Sequence, residues 1–98
     1  MLNSSISLLF TIVSRPEIKF TRDRIPVLNA RARASFGSSK NLYFTIQLFD
    51  QKKISAFTSK FQPDSIVQAT GILFTNEYAE KKSDLNFKIS SFNVLRNE

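Results

Sequence analysis

The chain has 98 residues, 42% of them hydrophobic and 22% charged, with a formal net charge of +6. That suits one domain with a single modest core, and no apolar run reaches the ~18 residues of a membrane span. With no cysteine and no histidine, a disulfide framework and a thiolate metal site are excluded, as are the commonest general base and zinc ligand.

The opening stretch, MLNSSISLLFTIVSR, is weakly signal-like in hydropathy but lacks a basic n-region. It reads instead as a strand over residues 3–13. Ile6, Leu8, Phe10 and Ile12 fall on one face and Leu9 and Val13 on the other, so partial burial on both faces is expected. Arg15-Pro16 breaks this pattern, because proline removes a ladder donor and pushes its predecessor out of the α region. Residues 17–21, EIKFT, extend the strand after the bend, and Arg22-Asp23-Arg24 forms a charged turn.

Pro26 opens a second strand, PVLNARARASF. Leu28, Ala30, Ala32 and Ala34 make a small apolar face, with Val27, Asn29, Arg31, Arg33 and Ser35 opposite. Alanine and arginine also favour a helix, but the Pro-Val start and the Gly-Ser-Ser that follows favour a strand. Two arginines on its polar face are well placed for phosphates. Gly37-Ser38-Ser39-Lys40 then turns the chain into a hairpin with a short basic loop.

The third strand, residues 41–50 (NLYFTIQLFD), has the sharpest period of two. Leu42, Phe44, Ile46 and Leu48 form a continuous apolar row that requires a core. Tyr43, Thr45, Gln47 and Phe49 form a polar row carrying two rings. A strand with one buried face has no packing need for rings on its wet side. Either Tyr43 and Phe49 pack against a neighbouring strand, loop or subunit, or they receive flat partners such as unstacked nucleobases.

Residues 51–61 (QKKISAFTSKF) change period, and Ile54, Phe57 and Phe61 mark the buried stripe of a short helix that caps the sheet. Residues 62–65 are a turn. Residues 66–75 (IVQATGILFT) form the fourth strand, in which Gly71 marks a bulge or tight bend. Residues 76–84 are a polar hairpin tip with Lys81, Lys82 and one ring, Tyr78, either a mobile stacking group or a lid residue. The last strand, residues 85–95 (LNFKISSFNVL), turns Leu85, Phe87 and Ile89 inward, then switches face to Phe92 and Val94 through a bulge.

Three strands, a helix and two strands match an all-β, five-stranded Greek-key OB-fold barrel, with one short helix between strands three and four and a single domain over residues 2–96. Residues 15–53 hold nine basic and three acidic groups, whereas residues 54–98 hold five of each. The positive excess thus surrounds the ring-bearing strand, the expected footprint of a polyanion binder. No two carboxylates have a recognisable catalytic spacing, so no enzyme, cofactor, metal or small-molecule substrate is expected. Phe, Tyr, Ile, Asn and Lys total 36 while Gly, Ala, Arg and Pro total 17. This usage points to an AT-rich genome, that of a plastid or an AT-rich bacterium, and so to a plastid stroma or nucleoid, or a bacterial cytoplasm.

The segments RPEIKFT, IPVLNARA, YFTIQLF, the helix with its SKFQPDS turn, VQATGIL and FKISSFNVL together resemble the bacterial single-stranded-DNA-binding protein family, over residues 3–95. The resemblance implies that Tyr43 and Phe49 stack bases and that Tyr78 supplies a further ring. It makes Arg31 and Arg33 a basic strand face, with Phe36 the candidate for the ring of a clamp that is short here. Lys40, Lys52, Lys53, Lys81 and Lys82 would track the phosphate backbone of single-stranded DNA. It also implies a homo-oligomer, a dimer or tetramer joined through first strands. Phe10 stands where the family often has glycine, and Ala30 and Ala32 where it has large apolar residues. The family's acidic, partner-recruiting tail is not found in the sequence, so a bare binding module is expected, similar to tail-less members encoded in plastids. A primosomal assembly factor that holds DNA weakly, and an OB-fold RNA binder, are the alternatives.

Overall fold

The computed structural model describes residues 5–36, 40–62, 65–75 and 85–95. Its elements are β1 (Ile6–Ile12), β2 (Glu17–Phe20), β3 (Pro26–Phe36), β4 (Lys40–Phe49), α1 (Gln51–Lys60), β5 (Ile66–Thr75) and β6 (Leu85–Leu95). The sheet runs β1-β5-β6-β4-β3, and β3 pairs back onto β1. These five strands therefore close into a barrel, antiparallel throughout except for β4 and β6, which are parallel. With α1 between the third and fourth barrel strands, this is the expected OB-fold.

The short β2 is the continuation of β1. Thr11 and Ile12 lie opposite Arg33 and Ala32, and further along the same edge of β3, Glu17 to Phe20 lie opposite Asn29 to Pro26. Between them the chain bends at Ser14, two residues before Pro16. There Ser14 Oγ accepts from the Arg31 backbone N–H at 2.8 Å, a donor that the broken ladder leaves without a strand partner. The charged turn follows, with Thr21 N–H donating to Ile25 O and Arg24 N–H to Thr21 O, both at 2.9 Å.

Inside the barrel, Leu28, Ala30, Ala32 and Ala34 lie opposite Leu48, Ile46, Phe44 and Leu42. The alanines leave room for three large rings from other strands. Phe10, Phe44 and Phe87 meet edge to face, with centroids 5.5, 6.1 and 6.0 Å apart. Edge-to-face contact sets the positive rim of one ring against the negative face of the next. Small residues facing large ones fill a narrow barrel without voids. Val27, on the polar face of β3, is buried all the same; it is flanked there by Lys19 on β2 and Phe49 on β4.

The helix α1 lays Ile54 and Phe57 into this core. Phe57 stacks on Phe61 at 5.5 Å and meets Phe92 edge-on at 5.4 Å. Asp50 caps the helix: its carboxylate accepts from the Lys52 N–H at 3.0 Å, although its φ of 83° is unfavourable for a side-chain-bearing residue. Asp50→Ala is expected to cost about 1 kcal/mol by urea unfolding, because the cap is lost and the strain kept. Asp50→Gly should cost less, since glycine relieves the backbone.

In β6 the pairing slips. Gly71 faces Ile89 and Thr70 faces Ser91, leaving Ser90 as an extra residue. This bulge moves the inward positions from Phe87 and Ile89 to Phe92 and Val94. Lys53 Nζ donates to the Ser90 carbonyl at 2.6 Å, and the Ser90 hydroxyl donates to Thr70 O at 2.9 Å. Gly71 is required beside it, because a Cβ there would collide with the Lys88 carbonyl oxygen.

One expectation fails in the single chain. β1 buries only its Phe10 and Ile12 face, whereas Leu9 is 56% and Val13 44% exposed, because no other described element of the chain covers that side. No helix among the described residues is long and apolar enough to cross a membrane.

Candidate nucleic-acid interface

Because alternate side chains of a strand share a face, β3, β4, β6 and β5 present one continuous outer surface, and the registers arrange it in rows. Arg33 lies opposite Tyr43. Arg31 lies opposite Thr45, Thr45 opposite Asn86, and Asn86 opposite Phe74. The next row runs Asn29, Gln47, Lys88 and Ile72, and Val27 lies opposite Phe49 beyond it.

Tyr43 is 50% exposed. Its cross-strand neighbour Arg33 has no hydrogen-bond or ion-pair partner among the described residues, so ring and free cation stand side by side. Arg31 donates from Nη1 to Thr45 Oγ1 at 3.0 Å. That single bond aims the guanidinium along the sheet and leaves most of its five donors for an anion. At the far end of β4, roughly 20 Å away for six residues of strand, Phe49 is half-buried, and Lys88 Nζ sits 5.0 Å from its ring centroid. Cation–π attraction of about 0.5–1 kcal/mol holds that ammonium against the face. No described residue on this outer surface is acidic: Glu17 lies 4.0 Å from Lys19 on β2, Asp50 caps α1, and Asp23 is in the charged turn.

Of the residues singled out in the sequence, the barrel brings together Arg31, Arg33, Tyr43 and Phe49. Lys40 is exposed at the start of β4, opposite Phe36; the Phe36 side chain is outside the described part. Lys52 and Lys53 lie in the first turn of α1, where Lys53 is engaged by the Ser90 bulge. Tyr78, Lys81 and Lys82 lie outside the described residues. Sequence reasoning missed Lys88 and Phe74. Alternation with Phe87 and Leu73 could have placed both outside the barrel, but only the pairing of β6 with β4 and β5 puts them beside the rings.

The sequence matches no protein-family model and no curated protein. Its fold does have solved counterparts. The mitochondrial single-stranded DNA-binding protein of Saccharomyces cerevisiae superposes with a TM-score of 0.81 at 15% identity, covering 100% of this chain and 99% of that one. The second single-stranded DNA-binding protein of Mycobacterium smegmatis gives 0.78 at 16% identity, with 99% of each chain covered. The Plasmodium falciparum single-stranded DNA-binding protein, solved in complex with single-stranded DNA, gives 0.76 at 18%, covering 98% of this chain and 97% of that one. At such identities the likeness establishes the fold: the OB barrel of single-stranded DNA-binding proteins, matched along nearly the whole chain.

Proposed function

We propose that this chain binds single-stranded DNA without catalysis and with low sequence preference, in DNA replication or repair. The observation that carries this reading is the Arg33–Tyr43 pair on the outer face of the barrel, an exposed ring beside a cation that has no partner among the described residues. Every base has a π face, so stacking on Tyr43 is indifferent to sequence, while Arg31, Arg33 and Lys88 neutralise phosphates. The barrel shared with proteins that bind single-stranded DNA supports the same polymer. A second copy of the chain is the proposed cover for Leu9 on β1 and Val13 just beyond it, giving a homo-oligomer. Residue usage supports a plastid or an AT-rich bacterium as the setting.

Titration of labelled oligo-dT at several salt concentrations tests the function. Binding should saturate and weaken linearly in log–log form, by about 0.7 in slope per phosphate neutralised. Tyr43→Ala should lose about 1–3 kcal/mol of binding with little change in unfolding midpoint, because half of the side chain is in solvent. Binding that ignores salt, or none at micromolar protein, would refute the proposal. An RNA of equal length that displaces the DNA with ease would transfer it to RNA.

A further inference from the structure

We propose that the DNA-binding face extends across β6 onto β5, where Phe74 is a further base-stacking ring, with Lys88 on the intervening β6 a further cation; this rests on the reading just given. Phe74 and Ile72 are each 38% exposed and point away from the core, while Leu73 between them packs into it. A phenylalanine in this position contributes nothing to the barrel interior. It shares a row with Asn86, Thr45 and Arg31, and Ile72 shares one with Lys88.

Phe74 is two strands from Thr45, and Tyr43 is two residues along β4 from it. Strand spacing and rise put Tyr43 and Phe74 about 12 Å apart, a length that three or four nucleotides cover at ~3.4 Å each, or fewer if the DNA is extended. One strand of DNA can therefore lie on both rings while crossing the row between them, in which Thr45 is half-buried and Asn86 buried. Charge selects this occupant over a second protein copy. Two copies packed symmetrically on this face would set Arg31, Arg33 and Lys88 against their own kind with no described carboxylate between them, and like charges in an interface are strongly disfavoured.

The chain contains no tryptophan and two tyrosines, so Phe74→Trp places a single indole on β5 that can be excited selectively at longer wavelength than the phenols. Its emission should be quenched as oligo-dT saturates the protein, and Phe74→Ala should weaken binding of the same labelled oligomer about tenfold. Sedimentation of both variants should match the wild type. Unchanged tryptophan emission at saturation, or undiminished affinity in Phe74→Ala, overturns the extension and leaves the Tyr43 site standing. Dissociation of an oligomer by Phe74→Ala overturns it too, by giving the face to a second copy. Failure of the wild type itself to bind oligo-dT removes the underlying function instead.

Discussion

Phe44→Ala is expected to destabilise the fold by about 3–5 kcal/mol, the range for deleting a buried aromatic ring. Phe44 is fully buried and belongs to the ring trio with Phe10 and Phe87. What makes its loss severe is the facing strand. Ala30, Ala32 and Ala34 have no atoms with which to fill the space, and β3 is held by ladders to β4, β1 and β2, so the wall cannot collapse inward. Domains of this size have only about 5–15 kcal/mol in total, and the midpoint of thermal unfolding should fall by at least ~12 °C. Urea unfolding at unchanged m-value measures the cost. A loss below about 1 kcal/mol would contradict the packing described. Phe44→Leu, which keeps most of the volume, should cost far less.

The second large effect is electrostatic. Replacing Arg31 and Arg33 together by alanine should flatten the salt dependence of oligo-dT binding by about 1.4 in slope, two phosphates at roughly 0.7 each. The affinity loss should therefore be greatest at low salt. Both side chains leave β3 on its exposed face. Among the described residues the substitution removes one side-chain hydrogen bond, from Arg31 to Thr45, worth about 0.5–1.5 kcal/mol at most. The variant should fold. Replacement of both by lysine should restore the slope while leaving affinity below wild type, because a point charge cannot reproduce the bidentate fork. An unchanged slope in the alanine variant would mean that the phosphates run elsewhere.

Much of the architecture was legible because alternation is a local property. The rows Leu42-Phe44-Ile46-Leu48 and Leu28-Ala30-Ala32-Ala34 point inward as read, and the shift from Phe87 and Ile89 to Phe92 and Val94 located the bulge within a residue or two. Gly71 marked the same irregularity from the opposite strand; it faces the Lys88 carbonyl that no side chain could approach. The placement of Arg31, Arg33 and Tyr43 on one outer face was legible too, since consecutive strands joined as a hairpin lie side by side. Lys88 and Phe74 were not. Alternation says which way a side chain points, but it does not say which strand lies alongside. The exposure of Leu9 and Val13 escaped for a related reason: an apolar pattern signals that a surface wants covering, not whether the same chain supplies the cover.

The parallel pairing of β4 with β6 also governs the order in which the molecule assembles. The hairpin of β3 and β4 is a local structure that forms on a microsecond scale, whereas β6 arrives only after α1 and β5, and such long-range closure limits the folding rate. During synthesis the hairpin thus waits with Phe44, Ile46 and Leu48 uncovered and one edge of β4 unpaired, the condition in which nascent strands aggregate. The vulnerable interval for this protein is the passage of β6 through the ribosome, and a chaperone that shields an apolar hairpin would have its largest effect on yield there.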